Sequence, residues 1–137
     1  STEDSTNAVD EVFIAVSNLQ SMLSKMNPML FYDLQKYHTE AWLLFKSFRE
    51  KNLFKVISQN LNRGIQEGYY RKEIHVDIIA KMRIQQVDTV FNQTTYPIGE
   101  FSMLQVMTEL TEHYLYGVCT LKGHKLINKY KQILEEE

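Results

Sequence analysis

The sequence predicts an all-α protein, and three observations support this fold class. Segments whose apolar residues recur at steps of three and four follow one another along the 137 residues. Only two prolines and five glycines interrupt the chain, and both prolines fall between these segments. Apolar residues make up 44% of the sequence and charged residues 23%, which is typical of a folded globular domain. We therefore expect one helical domain with a single core.

The first two helices are predicted over residues 6 to 26 and 28 to 37. Asn27 followed by Pro28 separates them, because Asn is a favourable N-cap and Pro a favourable first helical residue. The apolar stripe of the first helix consists of Val9, Val12, Phe13, Val16, Leu19, Leu23 and Met26.

The longest helix is predicted from Glu40 to about Glu67, with Thr39 as its N-cap. The residues from Trp42 to Phe45 are consecutive and apolar, and four consecutive positions point to all sides of a helix. We therefore expect this turn to be enclosed on every side. Gly68 is the expected C′ residue, because glycine accepts a positive φ without steric penalty.

Two further helices are predicted over residues 76 to 94 and from Glu100 to Leu121. Residues 69 to 75 connect the first of them to the preceding helix, and a turn around Pro97 separates the two. The final stretch, residues 122 to 137, is predicted to be an exposed and charged helical tail.

The helix from Glu100 to Leu121 carries two apolar stripes where one would suffice for docking on its own domain. The first consists of Met103, Met107, Leu110, Tyr114, Gly117 and Leu121, and the second of Leu104, Thr108, Thr111, Leu115 and Val118. The preceding helix also has a second, mixed face with Ile78, Met82, Gln85 and Thr89.

Two adjacent helices with outward apolar faces predict a homodimer through a four-helix bundle. The alternative is that both stripes of the later helix are buried within one subunit. The predicted interface consists of Ile78, Met82, Thr89, Met103, Met107, Leu110, Tyr114, Gly117 and Leu121.

Charge and cysteine content exclude several classes of protein. With 15 Lys and Arg against 17 Asp and Glu, the formal charge of −2 gives no general attraction to nucleic acid. The single cysteine, Cys119, cannot form an internal disulfide, and neither a signal peptide nor a membrane-spanning apolar run is evident. We expect a cytoplasmic location and no membrane partner.

The residue patterns of common enzyme and metal sites are also missing. The four histidines are dispersed, and the pair Glu109 and His113 has no counterpart on another helix. No catalytic-cysteine signature surrounds Cys119, and the sequence contains no Gly-rich phosphate loop. We therefore expect no catalytic residues, no metal and no cofactor.

Three stretches carry a family resemblance: "NPMLFYDLQKYHTEAWLLFKSF", "LNRGIQEGYYRKEIHVDIIA" and "HYLYGVCTLKGHKLINKY". In this order they resemble the C-terminal ligand-binding and dimerisation domain of TetR-type transcriptional regulators, especially the branch common in Bacteroidetes-like bacteria. The resemblance covers about residues 8 to 131. Its best marker, "GIQEGYYRKEI", is similar to the family's joint between ligand-core helices and dimerisation helices.

The resemblance implies one regulatory domain over residues 1 to 137. Residues 6 to 67 would form the ligand core, residues 76 to 121 the dimerisation helices, and residues 122 to 137 the tail. Members of the family also bind DNA through an N-terminal helix-turn-helix domain. The acidic and polar opening of this sequence does not supply one, so we expect a piece of a longer bacterial regulator that contacts DNA only through that missing domain.

A domain of this type would sense a small apolar or amphipathic effector and transmit its binding through a homodimer. Methionine and aromatic side chains suit an adaptable cavity, although each could instead fill the core. The predicted ligand-binding residues are Met22, Met26, Met29, Tyr32, Trp42, Phe45, Phe48, Met82 and Phe91. The alternative function is that of an all-α protein-interaction or scaffold domain without a small-molecule ligand.

Overall fold

The computed structural model describes residues 4 to 27 and 29 to 132, and it confirms the all-α prediction over these ranges. The expected role of Pro28 and the last five residues of the tail lie outside the described residues. Six helices follow one another: α1 Ala8–Ser24, α2 Met29–Tyr37, α3 Thr39–Glu67, α4 Val76–Thr89, α5 Met103–Val118 and α6 Leu121–Tyr130.

Side-chain caps explain where several helices begin. Asn7 accepts a hydrogen bond from the Asp10 N–H at the start of α1, and Ser102 and Thr120 cap α5 and α6 in the same way. The helix predicted from Glu100 is therefore shorter, because Ser102 sets its beginning. The structure also corrects the predicted cap of α3: Thr39 is the first helical residue, after His38.

The connection between α3 and α4 is held by an unusual backbone arrangement. Gly68 has φ of 81°, as predicted, and the N–H groups of Tyr69 and Tyr70 both donate to the carbonyl of Gly64 at 3.0 Å. Tyr70 then forms an isolated antiparallel bridge with Cys119, the residue that follows α5. This bridge ends α5 at Val118, three residues before the predicted end.

The main core is built around Tyr70, which is 1% exposed. Its phenol donates to Asn60 Oδ1 at 2.7 Å, with the carbonyl oxygen of Ala8 at 3.2 Å, and Asn60 Nδ2 donates to the same carbonyl at 2.9 Å. The buried polar groups are thus paired with one another. Surrounding this network are Val9, Leu61, Ala80, Tyr114, Leu115, Val118, Cys119 and Ile127.

Helix α6 is part of this core, which corrects the prediction of an exposed tail. Ile127 is fully buried, Gly123 is buried, and α6 packs against both α1 and α5. The Asn7 side chain donates to the Tyr130 phenol oxygen at 2.8 Å, which ties the end of α6 to the start of α1.

The two apolar stripes of α5 are largely covered within a single chain. Met107 and Tyr114 from the first stripe are buried, as are the second-stripe residues Thr111, Leu115 and Val118. This arrangement differs from the expectation that one stripe faces outward.

The turn from Trp42 to Phe45 also departs from its prediction. Leu43 and Leu44 are exposed, whereas we expected the turn to be enclosed on every side. Neighbouring helices of this chain cover the Trp42 face of α3 and leave the opposite face uncovered.

We predict opposite effects for alanine at two helical glycines. A Cβ at Gly64 would overlap the Tyr70 ring, whereas a Cβ at Gly117 meets no other atom within 4 Å. Gly64→Ala should therefore lower the free energy of unfolding by about 1–3 kcal/mol through overpacking. Gly117→Ala, the matched control, should raise it by about 0.5–1 kcal/mol through helix propensity. Urea denaturation measures both, and equal stability of the two variants would contradict the packing of Tyr70 on Gly64.

A second prediction concerns alkaline stability. Burial raises the pKa of the Cys119 thiol from 9.0 to about 12. Above pH 9 the unfolded chain loses this proton while the folded chain keeps it. The free energy of unfolding should therefore fall as pH rises, by up to about 1.4 kcal/mol per pH unit.

Denaturation of wild type and Cys119→Ala at intervals from about pH 8 to 10 tests this linkage. The free energy of unfolding should fall less for the variant than for the wild type over this pH range. Burial also raises the pKa values of Tyr70 and Tyr114 above 10.0. These two tyrosines lower the free energy of unfolding at higher pH in the wild type and the variant alike. If the free energies of unfolding of the two proteins fall in parallel below pH 10, deprotonation of the Cys119 thiol does not cause the decline.

Candidate functional site

A cleft of about 960 Å³ lies between α2, α3 and α4, and we refer to it as the central cleft. Helix α2 and the first half of α3 form one wall, and α4 with the turn after it forms the other. This volume is within the range of small-molecule sites in proteins. The lining residues are Tyr32, Gln35, Lys36, Trp42, Lys46, Arg49, Met82, Gln85, Gln86, Asp88, Thr89, Phe91, Asn92, Gln93 and Thr94.

An ion pair joins the two walls of the central cleft. Arg49 on α3 donates through Nη2 to Oδ1 of Asp88 on α4, and both side chains are mostly buried. The guanidinium carbon also lies 5.9 Å from the ring centroid of Phe45 and 6.0 Å from that of Phe91. Partial burial between aromatic rings makes this pair stronger than an ion pair in water.

Four buried polar atoms at the central cleft have no hydrogen-bond partner among the described residues. They are Oη of Tyr32, Nε of Arg49, Oε1 of Gln86 and Oδ2 of Asp88. Leaving one such atom unpaired costs about 1–3 kcal/mol, and most buried polar atoms in proteins are paired. The four residues that carry these atoms, two donors and two acceptors, all line the central cleft.

The charge of the central cleft is positive. Lys36, Lys46 and Arg49 contribute three positive charges and Asp88 one negative charge, which leaves an excess of two positive charges. Burial raises the pKa of the Tyr32 phenol above 10.0, so this group is protonated at neutral pH and can donate a hydrogen bond. The cleft is suited to a molecule that carries acceptor oxygens or a negative charge.

Aromatic and apolar surface lies next to these polar atoms. The Trp42 ring lies at a tilt to the Phe45 ring with their centroids 5.9 Å apart, and Phe91 is buried in the wall. Tyr32 also borders an adjoining cavity of about 200 Å³. The other residues around that cavity are Val90, Tyr96, Ile98, Phe101, Ser102, Met103 and Val106.

The structure brings together four of the predicted ligand-binding residues: Tyr32, Trp42, Met82 and Phe91 all line the central cleft. Phe45 contacts Trp42 and Arg49 without lining it. The remaining predicted residues, Met22, Met26, Met29 and Phe48, do not line the cleft; Met26 is half-buried and the other three are exposed.

Sequence reasoning missed the polar half of the cleft, which is less apolar than expected. The sequence does contain a signal for Asp88 and Arg49, because each stands at a position where the helical repeat places apolar residues. Asp88 lies four residues after Ile84 and three before Phe91. Arg49 lies four residues after Phe45. A charged residue in such a position indicates a buried polar contact. Gln86 carries no comparable signal in the sequence.

The predicted dimer-interface residues are found in three different environments. Ile78, Met82, Gly117 and Leu121 are exposed, and Leu121 is the most exposed large apolar residue at 79%. Thr89, Met103 and Leu110 are half-buried. Met107 and Tyr114 are buried within their own chain and do not present their side chains to a partner.

Among the described residues, no three His, Cys, Asp or Glu side chains are placed to hold a metal ion together. None of the helices described has both the length and the apolar character needed to cross a membrane. Cys119 is a buried thiol, and burial raises its pKa to about 12.

Comparison with protein-family models, with curated proteins and with solved structures gives no match for this chain. The strongest functional observation is therefore internal to the molecule: four unpaired polar atoms beside Trp42 and Phe91.

Proposed function

We propose that this chain is the effector-sensing and dimerisation domain of a TetR-type transcriptional regulator, and that its effector binds in the central cleft. The cluster of unpaired buried polar atoms in that cleft carries the proposal. The resemblance of the three sequence stretches to TetR-type regulators supports a role in transcription regulation. DNA binding would belong to an N-terminal domain of the parent protein.

The polar atoms define the chemistry of the effector. Tyr32 and Arg49 Nε donate, so the ligand must offer acceptors such as carboxylate or carbonyl oxygens. Gln86 Oε1 and Asp88 Oδ2 accept, so it must also offer an N–H or O–H group. A planar or apolar portion would lie against Trp42. The class that fits is an amphipathic molecule with a polar, acidic end.

Sensing requires that the ligand bind one arrangement of the helices better than another. The positions of the polar groups support such a difference, because the donors lie on α2 and α3 and the acceptors on α4. A molecule that bonds to both walls draws α4 towards α2 and α3. The exposed Ile78 and Met82 also lie on α4, so this movement would reach the proposed dimer surface.

A protein-interaction domain without a small-molecule ligand is the second candidate. Exposed apolar side chains on α2 and α3 favour it, because such surfaces in folded proteins often bind other proteins. They are Leu30, Tyr37, Leu43, Leu44 and Phe48. This candidate gives no role to the unpaired polar atoms of the central cleft.

The first test of the proposal is a ligand screen that uses the only tryptophan, Trp42, as the reporter. Amphipathic acids that bind should change its fluorescence and raise the melting temperature by mass action. Gln86→Leu should weaken such a ligand by about tenfold or more, because one hydrogen bond to the cleft is lost.

The same variant should leave the unliganded protein as stable as the wild type or about 1 kcal/mol more stable, since it removes an unpaired buried oxygen. Gln66→Leu, on the exposed face of α3, is the matched control and should not change ligand affinity. A screen without ligands, or a ligand that binds Gln86→Leu unchanged, would rule out effector binding in the central cleft.

The second test concerns the dimer. Sedimentation at micromolar concentration should give the mass of two chains. Ile78→Lys should shift the protein to the monomer, because a charge replaces an apolar side chain in the proposed contact. Leu44→Lys, at the exposed surface of α3, is the comparison and should leave the dimer intact. Dissociation by Leu44→Lys alone would place the contact on α3 and favour the interaction-domain candidate.

A further inference from the structure

A second cavity, of about 290 Å³, lies among α1, α3, α4 and α5, and we refer to it as the Arg83 groove. Its walls are mostly half-buried aliphatic side chains, such as Val16 on α1, Ile57 on α3 and Val87 on α4. Val56, which also lines it, is 51% exposed, so the groove opens to solvent. It uses a different face of α4 from the one that lines the central cleft.

Arg83 is the notable polar residue of this groove. Its side chain comes from α4, the residue is only 7% exposed, and one guanidinium nitrogen donates to Thr111 Oγ1 at 2.8 Å. The guanidinium carbon lies 4.8 Å from the ring centroid of Tyr114. Within the described part of the chain, no carboxylate oxygen comes within 4.0 Å of Arg83.

A buried guanidinium without a counter-ion is unfavourable. Burial lowers the pKa of this guanidinium, yet an arginine side chain remains protonated in proteins at neutral pH. A hydroxyl and an aromatic face compensate a positive charge only in part, and buried charges in proteins are normally paired. The site therefore has an unmet requirement for a negative charge.

The acidic residue of the groove does not meet this requirement. Glu11 accepts a hydrogen bond from Asn60 Nδ2, and its other oxygen lies 3.5 Å from Arg63 Nη1. Both of its carboxylate oxygens thus have partners other than Arg83. The anion that fits must come from outside the described chain.

From these contacts we infer that the Arg83 groove binds a small aliphatic carboxylate. The carboxylate would pair with Arg83 at the inner end, and the alkyl chain would lie between the aliphatic side chains of α1 and α3. The volume of about 290 Å³ leaves room for a short alkyl chain, and octanoate is a suitable probe. This inference is independent of the function proposed for the central cleft.

Titration calorimetry with octanoate and octan-1-ol tests the inference, because the two probes share an alkyl chain and differ in charge. The wild type should bind octanoate about tenfold or more tightly than octan-1-ol. Arg83→Met should lose this preference and retain octan-1-ol binding within about twofold, since the apolar walls are unchanged. Lys129→Met removes an exposed positive charge from α6 and is the control for net charge.

A second variant locates the site independently of Arg83. Ala15 is exposed and lines the groove, so Ala15→Trp should fill it and abolish octanoate binding without disturbing the core. If circular dichroism shows that Arg83→Met does not fold, the Ala15→Trp variant alone tests the inference. Equal affinities of the wild type for the two probes, absence of octanoate binding, or full octanoate binding by Ala15→Trp would each overturn the inference.

Discussion

The contact between Tyr70 and Gly64 is the constraint on which the rest of the structure depends. Because Gly64 has no side chain, the ring of Tyr70 lies directly on α3 and its phenol reaches Asn60 and the carbonyl of Ala8. Its backbone meanwhile pairs with Cys119. One residue thus connects α1, α3 and the junction of α5 with α6, and it sets the direction in which the chain enters α4.

The position of α4 in turn defines both proposed binding sites. In the Tyr70 core, the Tyr70 phenol, the Asn60 side chain and the Ala8 carbonyl are paired with one another. Around α4 the opposite holds: Gln86 and Asp88 have unpaired oxygens, and Arg83 has no counter-ion among the described residues. The proposed binding sites thus lie where polar groups are left unpaired, around α4 and not around Tyr70.

Most of the fold was accessible from the sequence because apolar periodicity and glycine placement are local properties. Gly68 ended α3 with a positive φ, as predicted. One misplaced helix end depended on a distant partner: Cys119 leaves the helix because Tyr70, far away in sequence, pairs with it. The start of α5 depended instead on the local cap Ser102. The exposure of Leu43 and Leu44 was also not predictable from the sequence, because apolar periodicity does not indicate how many neighbouring helices cover a helix.

The candidate sites were harder to predict for a related physical reason. Aromatic residues such as Trp42 were predicted to line a ligand cavity because large apolar side chains are found around cavities as well as in cores. Arg83 and Gln86 look like solvent-exposed residues in the sequence. Only the packing of α3 and α5 against α4 shows that Arg83 is buried and that Gln86 is half-buried, with its Oε1 atom inaccessible. Unpaired polar groups are a property of the assembled structure and not of any local pattern.

Helix α4 contributes side chains to both the central cleft and the Arg83 groove. If an occupant of either site shifts this helix, it alters the affinity of the other, and reciprocity requires that the effect be equal in both directions. Two chemically different metabolites could then be read together by one short helix, in the manner of a coincidence detector.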